Sequence, residues 1–204
     1  KGYVFVYDNE KDILKFMYSG GSKLFSVIDN KIDKEKFDTN YFGSSLYFNL
    51  SDSTIYRVGG YGQYTFKNDI SIYNNKEHIW RNKNFNSESK FYPRLNSTIF
   101  PGKEASFYLF GGGGNKNGHQ KFGKYSFKDL WNFDLENKEL IKICNQLFPS
   151  DFHPANHIIN GLEIDDHIYF MTEKKESNHK TKDKKLYLWK FNVSDTLEAE
   201  LINT

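Results

Sequence analysis

With a single cysteine, Cys144, this chain has no means of building an internal disulfide framework, and its redox compartment stays open. No apolar stretch approaches the roughly 20 residues with which a helix spans a bilayer. Charge of one sign is lacking too. The 28 Lys and Arg stand against 26 Asp and Glu in 204 residues, a formal +2, so the whole molecule casts no strong field toward nucleic acid or membrane. No segment of any length carries apolar residues at helical spacing, and no Gly-x-Ser-x-Gly elbow offers a nucleophile. Lys1 stands directly before an apolar strand with no signal peptide ahead of it. That start reads as a boundary within a longer chain.

What the sequence does have is aromatic residues in a repeated pattern. The 19 Phe, 14 Tyr and 3 Trp bury large areas per side chain and favour strands, so a core forms without many aliphatics. Four short runs resemble one another: Val6-Tyr7-Asp8-Asn9, Ile72-Tyr73-Asn74-Asn75, Asn132-Phe133-Asp134-Leu135 and Lys190-Phe191-Asn192-Val193. Their aromatics are 66, 60 and 58 residues apart. Self-similarity at a near-constant period marks a repeat architecture, in which each unit buries its apolar face against its neighbours. The Asp or Asn after each aromatic is suited to start a turn, its side-chain oxygen bonding the backbone two residues on.

Other strands fall into the same frame. Ile55–Gly60 matches Phe107–Gly112, and the glycine-free His167–Met171 matches both more weakly. Paired glycines after a strand permit positive φ and a close approach of backbones. Ahead of each lies a short strand (Ser45–Asn49, Ser97–Phe100, Gly161–Ile164), with Ser51-Asp52-Ser53, Pro101-Gly102-Lys103 or Asp165-Asp166 as the turn. One repeat therefore reads as four antiparallel strands, and the fold class as all-β.

The order of apolar strand, Gly-Gly, variable loop, Asp, aromatic strand and Trp resembles the kelch repeat. Gly59-Gly60, Asp69, Tyr73 and Trp80 form the clearest copy. Gly111-Gly112, Asp129, Phe133 and Ile141 form another, with Ile141 in place of Trp, and the last copy is degenerate. The resemblance implies a β-propeller of radially packed four-stranded blades. It places blade pieces at residues 3–16, 41–82, 95–143 and 158–203 of a single region, the first being the last two strands of an earlier repeat. Three repeats and a half fall short of the roughly four to eight blades of a propeller. The favoured expectation is a partial propeller, with further blades supplied by the same full-length chain. The alternative is that strand-like Lys23–Asp29 helps to complete the first blade.

Chemistry is expected on the loops between second and third strands, residues 61–68, 113–128 and 174–185, since variable loops on a rigid scaffold carry specificity. Tyr64-Thr65-Phe66-Lys67 and Tyr125-Ser126-Phe127-Lys128 repeat one another, which argues for packing. The unshared residues Asn115, Lys116, Asn117, His119 and Gln120, with Tyr61 and Gln63, are the candidate binding residues. Gly111–Gly114 lacks the helix and the Lys-Ser/Thr of a phosphate loop. The lysines of residues 174–185 read as a solvated hairpin. Cys144, His153 and His157 have conceivable metal spacing, but Pro154 breaks any helical pairing, so an ordinary loop is favoured. Trp131 and Trp189 share one repeat position and read as structural.

No catalytic residue, metal ligand or cofactor is assigned. The expectation is a non-catalytic binding or sensory module for a protein or glycan partner, with no nucleic acid bound and no membrane span in this chain. The alternative is a carbohydrate-active enzyme of the kelch type with its site in the central channel, for which Arg57 and Arg94 are the available anion-binding groups.

Overall fold

A computed structural model describes residues 3–8, 12–18, 23–36, 41–49, 52, 54–74, 77, 79–103, 105–149, 158–175, 184–193 and 199–203. These form nineteen strands and one short 3-10 turn, with no α-helix among them. Strands β1 (Tyr3–Asp8), β2 (Ile13–Tyr18), β3 (Lys23–Ile28) and β4 (Lys31–Lys36) make the first sheet. Strands β5 (Ser45–Asn49), β6 (Thr54–Gly62), β7 (Thr65–Asn74) and β8 (Ile79–Asn82) make the second. After β9 (Arg94–Leu95) come β10 (Thr98–Pro101), β11 (Ser106–Phe110), the two-residue strands β12 (Gly113–Gly114) and β13 (Tyr125–Ser126), then β14 (Leu130–Asp134) and β15 (Glu139–Cys144). Of these, β10, β11, β14 and β15 form the third sheet. The fourth holds β16 (Ile158–Ile164), β17 (His167–Lys175), β18 (Lys184–Asn192) and β19 (Glu200–Asn203). These four sheets are antiparallel, with neighbours in chain order, and β9 pairs antiparallel with β12 in a fifth, three-stranded sheet.

The first sheet departs from the half repeat expected at residues 3–16. Beyond β2 the chain pairs β3 on β2 and β4 on β3, so four strands are present and not two. The Phe16 and Phe25 rings stack at 4.9 Å across the β2–β3 pair. Asp29 and Asn30 form the next turn at φ 49° and 61°, as a type I′ hairpin requires. Strand β4, Lys-Ile-Asp-Lys-Glu-Lys, has almost no apolar face, which hid it from a reading based on apolar alternation.

The chain divides into two compact units, Lys1–Phe85 with Lys90–Asn96 and Gly113–Tyr125, and Asn86–Ser89 with Ser97–Gly112 and Ser126–Thr204. In the first, Leu46, Phe48, Ile55 and Tyr73 are buried together with Trp80 packed against them. The Arg57 guanidinium lies 4.7 Å from the Tyr41 ring centroid and 4.4 Å from that of Trp80. It also donates to the Ser71 hydroxyl at 3.3 Å. Gly59 closes this packing. Its φ is +62°, and a Cβ there would meet the Arg94 carbonyl oxygen at 2.4 Å, so the di-glycine answers both to backbone conformation and to close approach.

In the second unit, Phe107 and Phe133, both fully buried, stack at 4.4 Å across β11 and β14. Phe148 stands edge-on to Phe110 and Phe170 at 5.4 Å each, and to Trp189 at 5.0 Å. One ring thus wedges between the third and fourth sheets. The buried indoles find polar partners, as buried N–H groups require: Trp131 Nε1 donates to Asp129 at 2.7 Å and Trp189 Nε1 to the Thr172 hydroxyl at 2.9 Å. In two of the four copies the repeated Asn or Asp takes the expected turn role, with a longer reach. Asn74 Oδ1 accepts from Glu77 N at 3.1 Å and Asp134 Oδ1 from Asn137 N at 2.9 Å, each three residues on, not two. The bonds from the Asn137 backbone and then its side chain hold the Asp134 carboxyl below the usual carboxylate range.

Candidate functional site

The hairpin of β6 and β7 carries the candidate site, and it is tighter than the loop expected over residues 61–68. Pairing continues through Tyr61↔Phe66 and Gly62↔Thr65, leaving only Gln63 and Tyr64 as the turn, at φ 51° and 64°. Both central residues must then be left-handed, a conformation that favours Asn-Gly and penalises bulky side chains. The first and fourth sheets meet the same demand with Asp29-Asn30 and Asp165-Asp166. Here the turn holds a glutamine and a tyrosine.

The segment Gly113–Tyr125 lies along this hairpin. Phe66 N donates to the Gly118 carbonyl at 2.7 Å and Gln120 N to the Tyr64 carbonyl at 3.0 Å. Thr65 and His119 form an isolated antiparallel bridge, and the Tyr61 hydroxyl donates to Gln120 Oε1. A short 3-10 turn, Gln120–Phe122, follows, with His119 Nδ1 accepting from Lys121 N at 3.1 Å.

The structure therefore brings Tyr61, Gln63, His119 and Gln120 together at one hairpin tip. Asn115 takes a different part. It is buried, its amide donates to the carbonyls of His119 at 3.1 Å and Gly123 at 2.6 Å, and its Oδ1 accepts from Asn117 N at 3.0 Å. It braces the loop from within. Lys116 and Asn117 are exposed at the loop's other bend, the Lys116 ammonium 5.6 Å over the Tyr92 ring.

Two residues absent from the sequence-based set complete the surface. Tyr64 is 67 % exposed and Phe122 55 %. The repeated stretch containing Tyr64 read as packing, and only part of it packs: Phe66 is buried against Tyr61, ring centroids 5.3 Å apart, while Tyr64 faces solvent. Tyr64 lies in the left-handed turn before β7 begins, so the strand's alternation, which would place it on the side of Phe66, does not govern it.

The other candidates are placed as follows. Arg57 is buried between rings, and Arg94 is buried with its guanidinium 4.4 Å over Phe91 and Nε donating to the Tyr92 carbonyl at 3.0 Å. Cys144 is buried, which pushes its thiol up to about 11; His153 and His157 lie outside the described residues. The lysine-rich 174–185 stretch begins and ends inside strands, paired Lys174↔Lys185 and Lys175↔Lys184, with residues 176–183 outside the described set. In the second unit a cleft of about 570 Å³ lies between Asn86–Ser89 and Glu139–Lys142. Asn86 pairs there along the outer edge of β15, donating to Lys138 O at 2.9 Å and accepting from Leu140 N at 2.8 Å. No helix among the described residues is long and apolar enough to cross a membrane. No protein-family model matches this chain, and no curated protein matches it either.

Proposed function

We propose that the four-stranded sheets are blades of a kelch-like β-propeller, and that the chain is a non-catalytic binding module engaging a protein or glycan partner through the β6–β7 hairpin and the segment beside it. One observation carries the reading: Tyr64 keeps a bulky aromatic side chain exposed at a left-handed turn position. Such backbone placements cost of order 1–3 kcal/mol and cluster at functional sites. A protruding ring on a clamped hairpin is also a low-entropy contact surface, because few rotamers must be frozen on binding. The exposed polar side chains at the same tip, Gln63 and His119, supply hydrogen bonds at the rim.

Replacing the whole of Asn115–Gln120 would test little, since Asn115 and Gly118 hold the loop together. Tyr64→Ala with Phe122→Ala is the informative variant. Screened against immobilised glycans and peptides, the intact chain should bind a ligand that the double variant binds at least about tenfold more weakly, with an unchanged melting temperature, since surface truncations usually stay within about 0.5 kcal/mol. Equal binding by both proteins refutes the hairpin as the site.

A further inference from the structure

We infer that the partner at the Tyr64 hairpin is an acidic polysaccharide, a glycan chain bearing carboxylate or sulfate groups; this rests on the binding reading above and names its ligand class. The first observation is charge. The near-neutral total conceals two opposite units: the first holds seventeen Lys and Arg against ten Asp and Glu, a formal +7, and the second eleven against sixteen, a formal −5. The imbalance sharpens at the site. Residues 59–68 and 113–125 contain Lys67, Lys116, Lys121 and Lys124 and no Asp or Glu, and Asp69, directly after, accepts from the Tyr41 hydroxyl at 3.2 Å.

The second observation is where those cations sit. The Lys121 ammonium is 5.0 Å over the Phe122 ring, Lys116 is 5.6 Å over Tyr92, and Lys67 is 5.5 Å over Tyr41. Lys116, Lys121 and Lys124 are all exposed. Ammonium groups are thus held beside aromatic faces. A sugar ring presents an apolar C–H face and a rim of hydroxyls. The face suits an aromatic ring, the rim suits amides such as Gln63 and Asn117, and a carboxylate or sulfate on the ring suits an ammonium. A neutral glycan would leave the lysines without a role. A single-stranded nucleic acid would also use cations beside aromatic rings, and oligo(dT) among the probes below separates it.

The test uses the full chain and five probes: heparin, polygalacturonate, neutral dextran, poly-glutamate and oligo(dT). Heparin or polygalacturonate should bind best, and the affinity should fall as salt rises from about 50 to about 500 mM. The triple variant Lys116→Gln, Lys121→Gln, Lys124→Gln should weaken it about tenfold, and Tyr64→Ala should weaken it further. Lys121→Glu alone, in case the triple variant folds poorly, should act in the same direction. Dextran bound as tightly, with Tyr64→Ala weakening it and the lysine variants not, overturns the acidic ligand and leaves the binding module standing. Tighter binding of poly-glutamate or oligo(dT) overturns the polysaccharide class. Failure of every probe to bind overturns the inference outright.

Discussion

Single residues in this chain are constrained mostly by backbone geometry. Gly59 and Gly123 show how differently two positive-φ glycines are held. Gly59 sits at φ +62° with the Arg94 carbonyl oxygen 2.4 Å from where a Cβ would stand, whereas Gly123, at φ +77°, would place its Cβ in open space. A backbone oxygen cannot swing aside as a side chain can, so Gly59→Ala adds a clash to the strain. With ψ −173°, Gly123 lies in a region open essentially to glycine alone, so Gly123→Ala should cost about 2–3 kcal/mol from conformation alone, and Gly59→Ala more, since the clash adds to the strain. Urea unfolding of the two variants checks this, and similar midpoints would remove the close-approach account of the di-glycine.

At the level of strands and hairpins, the Gln63-Tyr64 turn sets stability against surface chemistry. Its backbone is that of a type I′ turn, for which Asn-Gly is the preferred pair. The variant Gln63→Asn, Tyr64→Gly should therefore raise stability by about 0.5–1 kcal/mol while losing any ligand that needs the Tyr64 ring. A rise in the urea midpoint with binding retained would assign the ring no part in recognition. This scale is also where sequence reading succeeded and failed. The hairpins of the second, third and fourth sheets were legible because the apolar runs through Tyr56 and Phe107 and the alternating runs through Phe133 and Phe191 stand between turn formers. Strand β4 was not, because its charged residues show no buried face. The pairing of Gly118 and Gln120 with the hairpin was not legible either. Backbone hydrogen bonds from an irregular loop leave no compositional trace, so Asn115 read as a surface ligand although it is an internal brace. Tyr64 was assigned to packing because repetition of a motif says nothing of which of its residues faces inward.

Across the whole molecule, burial is uneven. Among the described side chains of β2, β3 and β4 none is buried, while β11 and β14 bury Phe107, Leu109, Leu130, Trp131 and Phe133 completely. Opening a sheet costs what its buried apolar area contributed, so local stability should follow this gradient and not the similarity of strand topology. A sheet with little buried apolar area can open locally while better-packed sheets stay closed. Native-state hydrogen exchange should find the β1–β4 amides exchanging first and the β11–β14 amides last, the latter at rates set by global unfolding. Destabilising the third sheet with Phe133→Ala, at about 3–5 kcal/mol, should speed exchange in β11 and β14 by several hundredfold or more. The β1–β4 rates should barely change, because those amides already exchange through a cheaper local opening. Equal protection in all four sheets of the unaltered chain, or an equal acceleration everywhere in the variant, would mean that the sheets open only as one cooperative body.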